Sequence, residues 1–199
     1  METKGLVIQG LNLDDEDLGS LLNTRSYAQY VEMVSWFTDG CKFCNLDRVK
    51  NKIVWTSGNW RMWVNPYPLK HTHHHLVLAP ESHLTHTRDM SVRDWGNFSK
   101  LVAYATGALY GGALVMRFGD PHLNAGSVRH LHANIIVPNN AGEVRIPLAK
   151  NPEDIENKKK IVRVFERIRR CGIVTGLPLT EVVLLLNQED QALVKDRLG

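Results

Sequence analysis

The stretch RHLHANIIVP, residues 129–138, constrains this chain more than any other. Its apolar, β-branched tail reads as a strand, and in a strand successive side chains point to opposite faces. His130, His132, Asn134 and Ile136 then line one face, and Leu131, Ala133 and Ile135 the other. A sheet that contains this strand begins with three nitrogen-bearing side chains in a row, so that face is expected to carry chemistry.

The chain has 199 residues, enough for one domain with appendages and a sizeable core. No run approaches the ~18 consecutive apolar residues of a membrane span, so no membrane partner is expected. The start, METKGLVIQG, has no apolar signal core, which leads to the expectation of a cytoplasmic protein. A formal net charge of +3 is mild and compatible with acidic small molecules such as phosphates. The basic residues of ENKKKIVRVFERIRR read as the solvated face of a helix, so nucleic acid is not expected as a partner.

Element signals follow in order along the chain. SYAQYVEMVSWFTDG spaces Tyr27, Tyr30, Val31, Val34 and Phe37 as a helix that Gly40 ends. IVWTSGNWRMWVN is a hairpin around Gly58-Asn59, with Trp55, Trp60 and Trp63 as core or base-packing aromatics. HHLVLAP is a third strand. Ser91 and Asp94 open a helix in capping-box fashion, with Gly111 and Gly112 as its stop. ALVMRFG and LHANIIVP are two more strands, and Asn151-Pro152 starts a long helix running to about Gly172. The tail reads as a strand or short helix, then a helix over about 188–198. This order predicts an α+β fold, an antiparallel sheet with flanking helices. The expected organisation is an N-terminal helical extension over 1–40, a central domain over 41–150, and a C-terminal helix and tail over 151–199 packed on it.

Two groups of residues point to chemistry. Cys41 and Cys44 form a Cys-x-x-Cys pair, which in a chain without an export signal suggests metal or redox chemistry. A tetrahedral zinc needs two further ligands, and nine histidines are available, among which spacing alone does not choose. NAGSVRHLH places a Gly/Ser turn, able to donate N–H and O–H to phosphate oxygens, just before His132. A histidine that attacks phosphorus must be neutral at one nitrogen and held by a hydrogen bond at the other.

HLHANIIVP after AGSVR resembles the histidine-triad (HIT) superfamily. So do WVNPYPLKHTHHHLVLAPESH upstream and CKFC, which sits where zinc-bearing branches carry Cys-x-x-Cys. The resemblance covers about residues 41–138 and is nearest in appearance to the diadenosine-polyphosphate phosphorylase/hydrolase branch. It implies a HIT-like fold and a structural Zn2+ held by Cys41, Cys44, His83 and His130. It also implies a nucleophile at His132, which forms a nucleotidyl-histidine. Ser127 matches the family's phosphate-contacting hydroxyl, Asn65 the ribose-holding position, and Arg117 or Asn124 the phosphate-contacting asparagine. His75 matches a structural histidine, and His71, His73 and His74 fall in a loop. Asn134 departs from the family, because most members carry a third histidine there. An amide can hydrogen-bond a phosphate oxygen but cannot take a positive charge.

What the resemblance implies is a nucleotide hydrolase, phosphorylase or transferase cleaving a nucleoside phosphoanhydride such as a diadenosine polyphosphate. The alternative is a non-catalytic, zinc-stabilised nucleotide-binding protein, because the third motif histidine is Asn134. Family members form homodimers through a sheet edge and the long helix, and the same is expected here.

Overall fold

The computed structural model describes residues 20–46, 51–124, 126–148 and 152–198. Of the segment 1–40 expected as an N-terminal extension, residues 20–40 are described and residues 1–19 lie outside the described residues.

Gly58 turns the hairpin between β1 (Ile53–Ser57) and β2 (Trp60–Val64), and it does so at φ +54°. The positive φ favours glycine, and a Cβ there would stand 2.2 Å from the Asn97 side-chain Nδ2, which would have to move to admit it. β3 (Thr72–Pro80) pairs with β2, β5 (His132–Pro138) with β3, and β4 (Ala113–Arg117) with β5, every pairing antiparallel. The sheet order is β1-β2-β3-β5-β4, which leaves β1 and β4 as edges and buries β5 between β3 and β4.

Period-two alternation gives the sheet two different faces. Trp60 and Met62, Leu78, and Leu131, Ala133 and Ile135 point to one side. There they pack on Phe98, Leu101 and Ala105 of α2 (Val92–Gly107), and burial of this apolar surface holds the helix to the sheet. The helix starts with the capping box of Ser91 and Asp94. It stops at Gly107 rather than at Gly111-Gly112, its last turn tightened by the Ala108 N–H donating to Ala105 and Thr106 carbonyls. Gly112 serves the sheet instead. A Cβ there would lie 2.6 Å from the Ile136 carbonyl oxygen, so glycine lets β4 approach β5.

The opposite face is covered by helices from both ends of the chain. α1 (Tyr27–Asp39) is capped by Ser26, whose side chain accepts from the Gln29 N–H. The short α3 (Pro121–Asn124) precedes β5. α4 (Pro152–Thr175) runs past Gly172 and ends where Gly176, at φ +68°, donates to the Gly172 carbonyl. The tail is helical throughout, as α5 (Leu179–Leu184), α6 (Gln188–Val194) and a 3-10 turn at Lys195–Arg197. Tyr30, Met33 and Val34 of α1 share one apolar core with Ile161, Val164, Phe165 and Ile168 of α4. Two segments far apart in sequence thus form one helical layer. Among the described residues, no helix is long and apolar enough to cross a membrane.

Glu166 joins that layer electrostatically. The Tyr30 hydroxyl donates to it at 2.6 Å, and Arg169 and Arg170 each donate at 2.8 Å. Burial pushes the carboxyl up, but the bonds from Arg169, Tyr30 and Arg170 outweigh it and hold the group down at about 2. A carboxyl depressed on folding stabilises the fold above its unfolded pKa near 4.5, and that stabilisation is lost as pH falls toward 2. Urea midpoints measured between pH 5 and pH 2 are expected to fall more steeply in the wild type than in Glu166→Gln. Tyr30→Phe, which removes one donor to a buried charge, is expected to cost about 1–3 kcal/mol at pH 7.

Candidate functional site

The turn after α1 brings Cys41 and Cys44 against the head of β5. Cys41 Sγ lies 3.4 Å from His130 Nδ1, and Cys44 Sγ lies 3.6 Å from the same nitrogen and 3.4 Å from His83 Nδ1. One donor atom from each of Cys41, Cys44, His83 and His130 falls within 4.8 Å of the others. Tetrahedral zinc with bonds of ~2.0–2.3 Å separates its ligands by roughly 3.3–3.8 Å, so the donor set suits zinc. The buried His130 also has its outer partner: Nε2–H donates to the Pro80 carbonyl at 2.9 Å, which leaves the Nδ1 lone pair for a metal. Burial, then His83, pushes His130 down to about 3, so the ring is neutral. Burial and the adjacent Cys41 push the Cys44 thiol up to about 11, so a thiolate there needs a cation beside it.

His130 also orients its neighbour. Its backbone carbonyl accepts from His132 Nδ1–H at 2.8 Å, so the His132 lone pair sits on Nε2. Burial, its largest influence, brings His132 to about 4 and keeps the ring neutral. Phe43, inside the Cys-x-x-Cys turn, stands edge-on to both rings, 5.6 Å from His130 and 5.5 Å from His132. A metal at the cysteine pair would therefore also locate the wall of the site.

Asn134 follows His132 on the same face. The Leu69 N–H donates to His75 Nδ1 at 3.1 Å, which puts the His75 proton on Nε2, from where it donates to Asn134 Oδ1 at 3.0 Å. Burial pushes His75 down to about 4. The Asn134 oxygen is thereby engaged and its NH2 group remains as the donor.

These residues form the floor of a cavity of about 140 Å3 whose roof is α1 and the segment before it. Trp36, Phe43, Leu46 and Trp63 make an apolar side. Arg25, Lys42, Arg117 and Lys158 contribute positive charge, against Glu32 as the acidic lining residue among those described. The roof is bolted down by side chains: Asn23 donates to the Pro121 and Gly126 carbonyls, Gln29 to Ser127 Oγ at 3.2 Å, and the Tyr67 hydroxyl to Glu32.

Of the residues singled out in the sequence, His132, Asn134, Ser127, Arg117 and Asn65 all line this cavity. Asn65 also makes a turn, its Oδ1 accepting from the Tyr67 N–H at 2.8 Å and its amide nitrogen lying 3.1 Å from His75 Nε2. Arg117 stands opposite His132 in the β4–β5 ladder. Asn124 closes α3, and its side chain lies outside the described residues. His73 and His74 are on β3 rather than in a loop, exposed beside an irregularity between Thr72 and His74. Trp55 stacks on Tyr104 at 4.3 Å on the outside, away from the cavity. Sequence reasoning missed Arg25, Gln29, Trp36 and Lys158. Gln29, Trp36 and Lys158 lie on helices whose spacing shows a buried face but not what that face covers, and Arg25 lies in the non-helical segment just before α1.

No family model matches the chain, and no curated protein matches its sequence. Solved structures do match, at low identity. A hypothetical histidine triad nucleotide-binding protein from Sulfolobus tokodaii is 20% identical, with TM-score 0.41 over 63% of this chain and 91% of that one. A Zn-bound histidine triad family protein from Mycobacterium smegmatis is 16% identical, with TM-score 0.42 over 65% and 94%. A diadenosine triphosphate hydrolase from Plasmodium falciparum is 20% identical, with TM-score 0.39 over 61% and 76%.

The four-donor cluster has a direct test in metal-free protein. Zn2+ at about 1,000-fold above its Kd adds ~4 kcal/mol to folding stability. That corresponds to a rise in Tm of roughly 8–16 °C for a chain of this size. Cys41→Ser and His83→Ala are each expected to abolish most of the rise, measured by calorimetry with and without chelator.

Proposed function

We propose that this chain is a nucleotide-processing protein of the histidine-triad type that cleaves a nucleoside phosphoanhydride, such as a diadenosine polyphosphate, through His132. One observation carries the reading. His132 is neutral, its Nδ1–H is committed to the His130 carbonyl, and its free Nε2 belongs to a cavity lined by four cationic side chains. A histidine in that state is a nucleophile, and the cavity attracts the phosphate it would attack.

In the first step the Nε2 lone pair forms a bond to the α-phosphorus. The bond from phosphorus to the bridging oxygen breaks, and its electrons leave with the departing phosphate. In the second step water or inorganic phosphate attacks the same phosphorus and the N–P electrons return to Nε2. Water gives up its proton to solvent in that step. Ser127 O–H and the Asn134 NH2 donate to the non-bridging oxygens in both steps. The hydroxyl is free to do so because Gln29 uses its oxygen as an acceptor. Asn65 binds the ribose, and the apolar side at Trp36, Phe43 and Trp63 takes the base.

Asn134 selects the chemistry. An amide NH2 donates hydrogen bonds but is far too weak an acid to protonate a leaving group, so the leaving group must depart as an anion, unprotonated by Asn134. Phosphate and nucleoside phosphates do that, whereas an amine or a sugar alkoxide does not.

Zinc at Cys41, Cys44, His83 and His130 is structural in this reading. It ties the α1 turn to β5 and takes no part in either step. A homodimer through the β4 edge, where Leu114 is exposed, fits the resemblance.

The test is to incubate the zinc-loaded protein with diadenosine tetraphosphate, with and without inorganic phosphate, and to separate the products. ADP formed only with phosphate means phosphorolysis, and AMP formed without it means hydrolysis. His132→Ala is expected to lose at least ~10³-fold in turnover with nucleotide affinity within about threefold. Binding without turnover in the wild type would overturn the catalytic reading and leave a nucleotide-binding protein.

A further inference from the structure

Arg25 and Arg117 come from different layers of the fold, one from the segment before α1 and the other from the end of β4, and line the same cavity. Each guanidinium is held by a backbone carbonyl: Arg25 donates to the Tyr67 oxygen, and Arg117 to the Pro147 oxygen at 3.0 Å. Neither has a carboxylate partner among the described residues. Arg117 Nε is buried with no hydrogen-bond partner among the described residues. The two are also near enough to oppose each other, since Arg25 is pushed down first by burial and then by Arg117.

Two like charges converging on one cavity, with a buried donor unmet, destabilise the protein alone. Such an arrangement is expected where an anion completes the site. The position of that anion follows from the ladder. Arg117 faces His132 across β4 and β5, and Ser127 and Asn134, which line the same cavity, are the donors assigned above to the phosphate that His132 would attack. The arginines are left for the next phosphate along the chain.

We propose that Arg25 and Arg117 form a second-phosphate site, which binds the phosphate leaving from the attacked phosphorus and restricts ligands to nucleoside diphosphates and longer polyphosphates. This rests on the reading of His132 as the attacking group. Arg25 lies outside the part of the chain that resembles a known family, so this restriction is supplied by the N-terminal segment. The role is electrostatic and geometric: Arg25 reaches the β-phosphate, spreads the charge developing on the departing oxygen, and favours substrates that carry one.

Calorimetric titration of the full, zinc-loaded chain with AMP and with α,β-methylene ADP, which cannot be cleaved, tests the site. The wild type is expected to bind the diphosphate at least tenfold more tightly than AMP. Arg25→Gln is expected to remove about tenfold of the diphosphate affinity while AMP affinity stays within twofold, and Arg25→Lys to restore part of it. Lys160→Gln, which removes an exposed cation outside the cavity, controls for net charge and is expected to change neither. An unchanged diphosphate-to-AMP ratio in Arg25→Gln, or no preference in the wild type, overturns the proposal. Because the probes are not turned over, a wild type that cleaves nothing yet shows the Arg25-dependent preference would overturn only the catalytic reading. A wild type that cleaves dinucleotides with no such preference would overturn only the arginine site.

Discussion

His130 makes three commitments at once, and the rest of the site depends on all of them. Its Nδ1 faces the two cysteines, its Nε2–H is held by the Pro80 carbonyl, and its backbone oxygen accepts a hydrogen bond from His132 Nδ1–H. Each is possible only in one register of β5 against β3 and β4. A slip by one residue would turn His130, His132 and Asn134 into the apolar core beneath α2 and bring Leu131, Ala133 and Ile135 into the cavity. The buried apolar face of the sheet therefore also secures the polar one. Hydrophobic packing with Trp60, Leu78 and Phe98 sets the register, and the register aims the imidazoles.

Burial does the remaining electrostatic work. His75, His130 and His132 are all held neutral mainly because the charged forms would lose their hydration. Neutrality frees each ring to act as one donor and one acceptor. The result is a set of fixed tautomers: His130 turned to the cysteines, His132 with a bare Nε2, and His75 with its Nε2–H donating to Asn134 Oδ1. The amide at position 134 fits this pattern, since its oxygen accepts a hydrogen bond from His75 and its NH2 offers two donors, with no group that changes charge.

The helical layer matters as much as the sheet. α1 and α4 bury a common core around Phe165 and Tyr30, and the Glu166 cluster adds charge-assisted bonds to it. Asn23 and Gln29 fasten the same layer to the loop before β5, so the wall that carries Ser127 and the roof that carries Arg25 are positioned together. Loss of packing between the terminal segments would thus reach the cavity without any change in β5.

The sequence by itself determined the local geometry. Period-two alternation over 130–136 separated the cavity face from the core face, the Gly58-Asn59 pair marked the hairpin, and Ser91 with Asp94 marked the start of α2. These are readable because they depend on neighbours a few residues away. Helix ends were less legible: Gly107 and Gly176 close α2 and α4, because the stop depends on where the chain must go next. The motif residues His132, Asn134 and Ser127 could be named in advance, but not that His75 orients Asn134, nor that Phe43 stands against His132. Only the tertiary structure decided that the first and last segments fold over the sheet and bring Arg25, Gln29 and Lys158 to the cavity. Helical spacing shows that a face is buried, and the partner of that face is set by long-range packing, which no local pattern records.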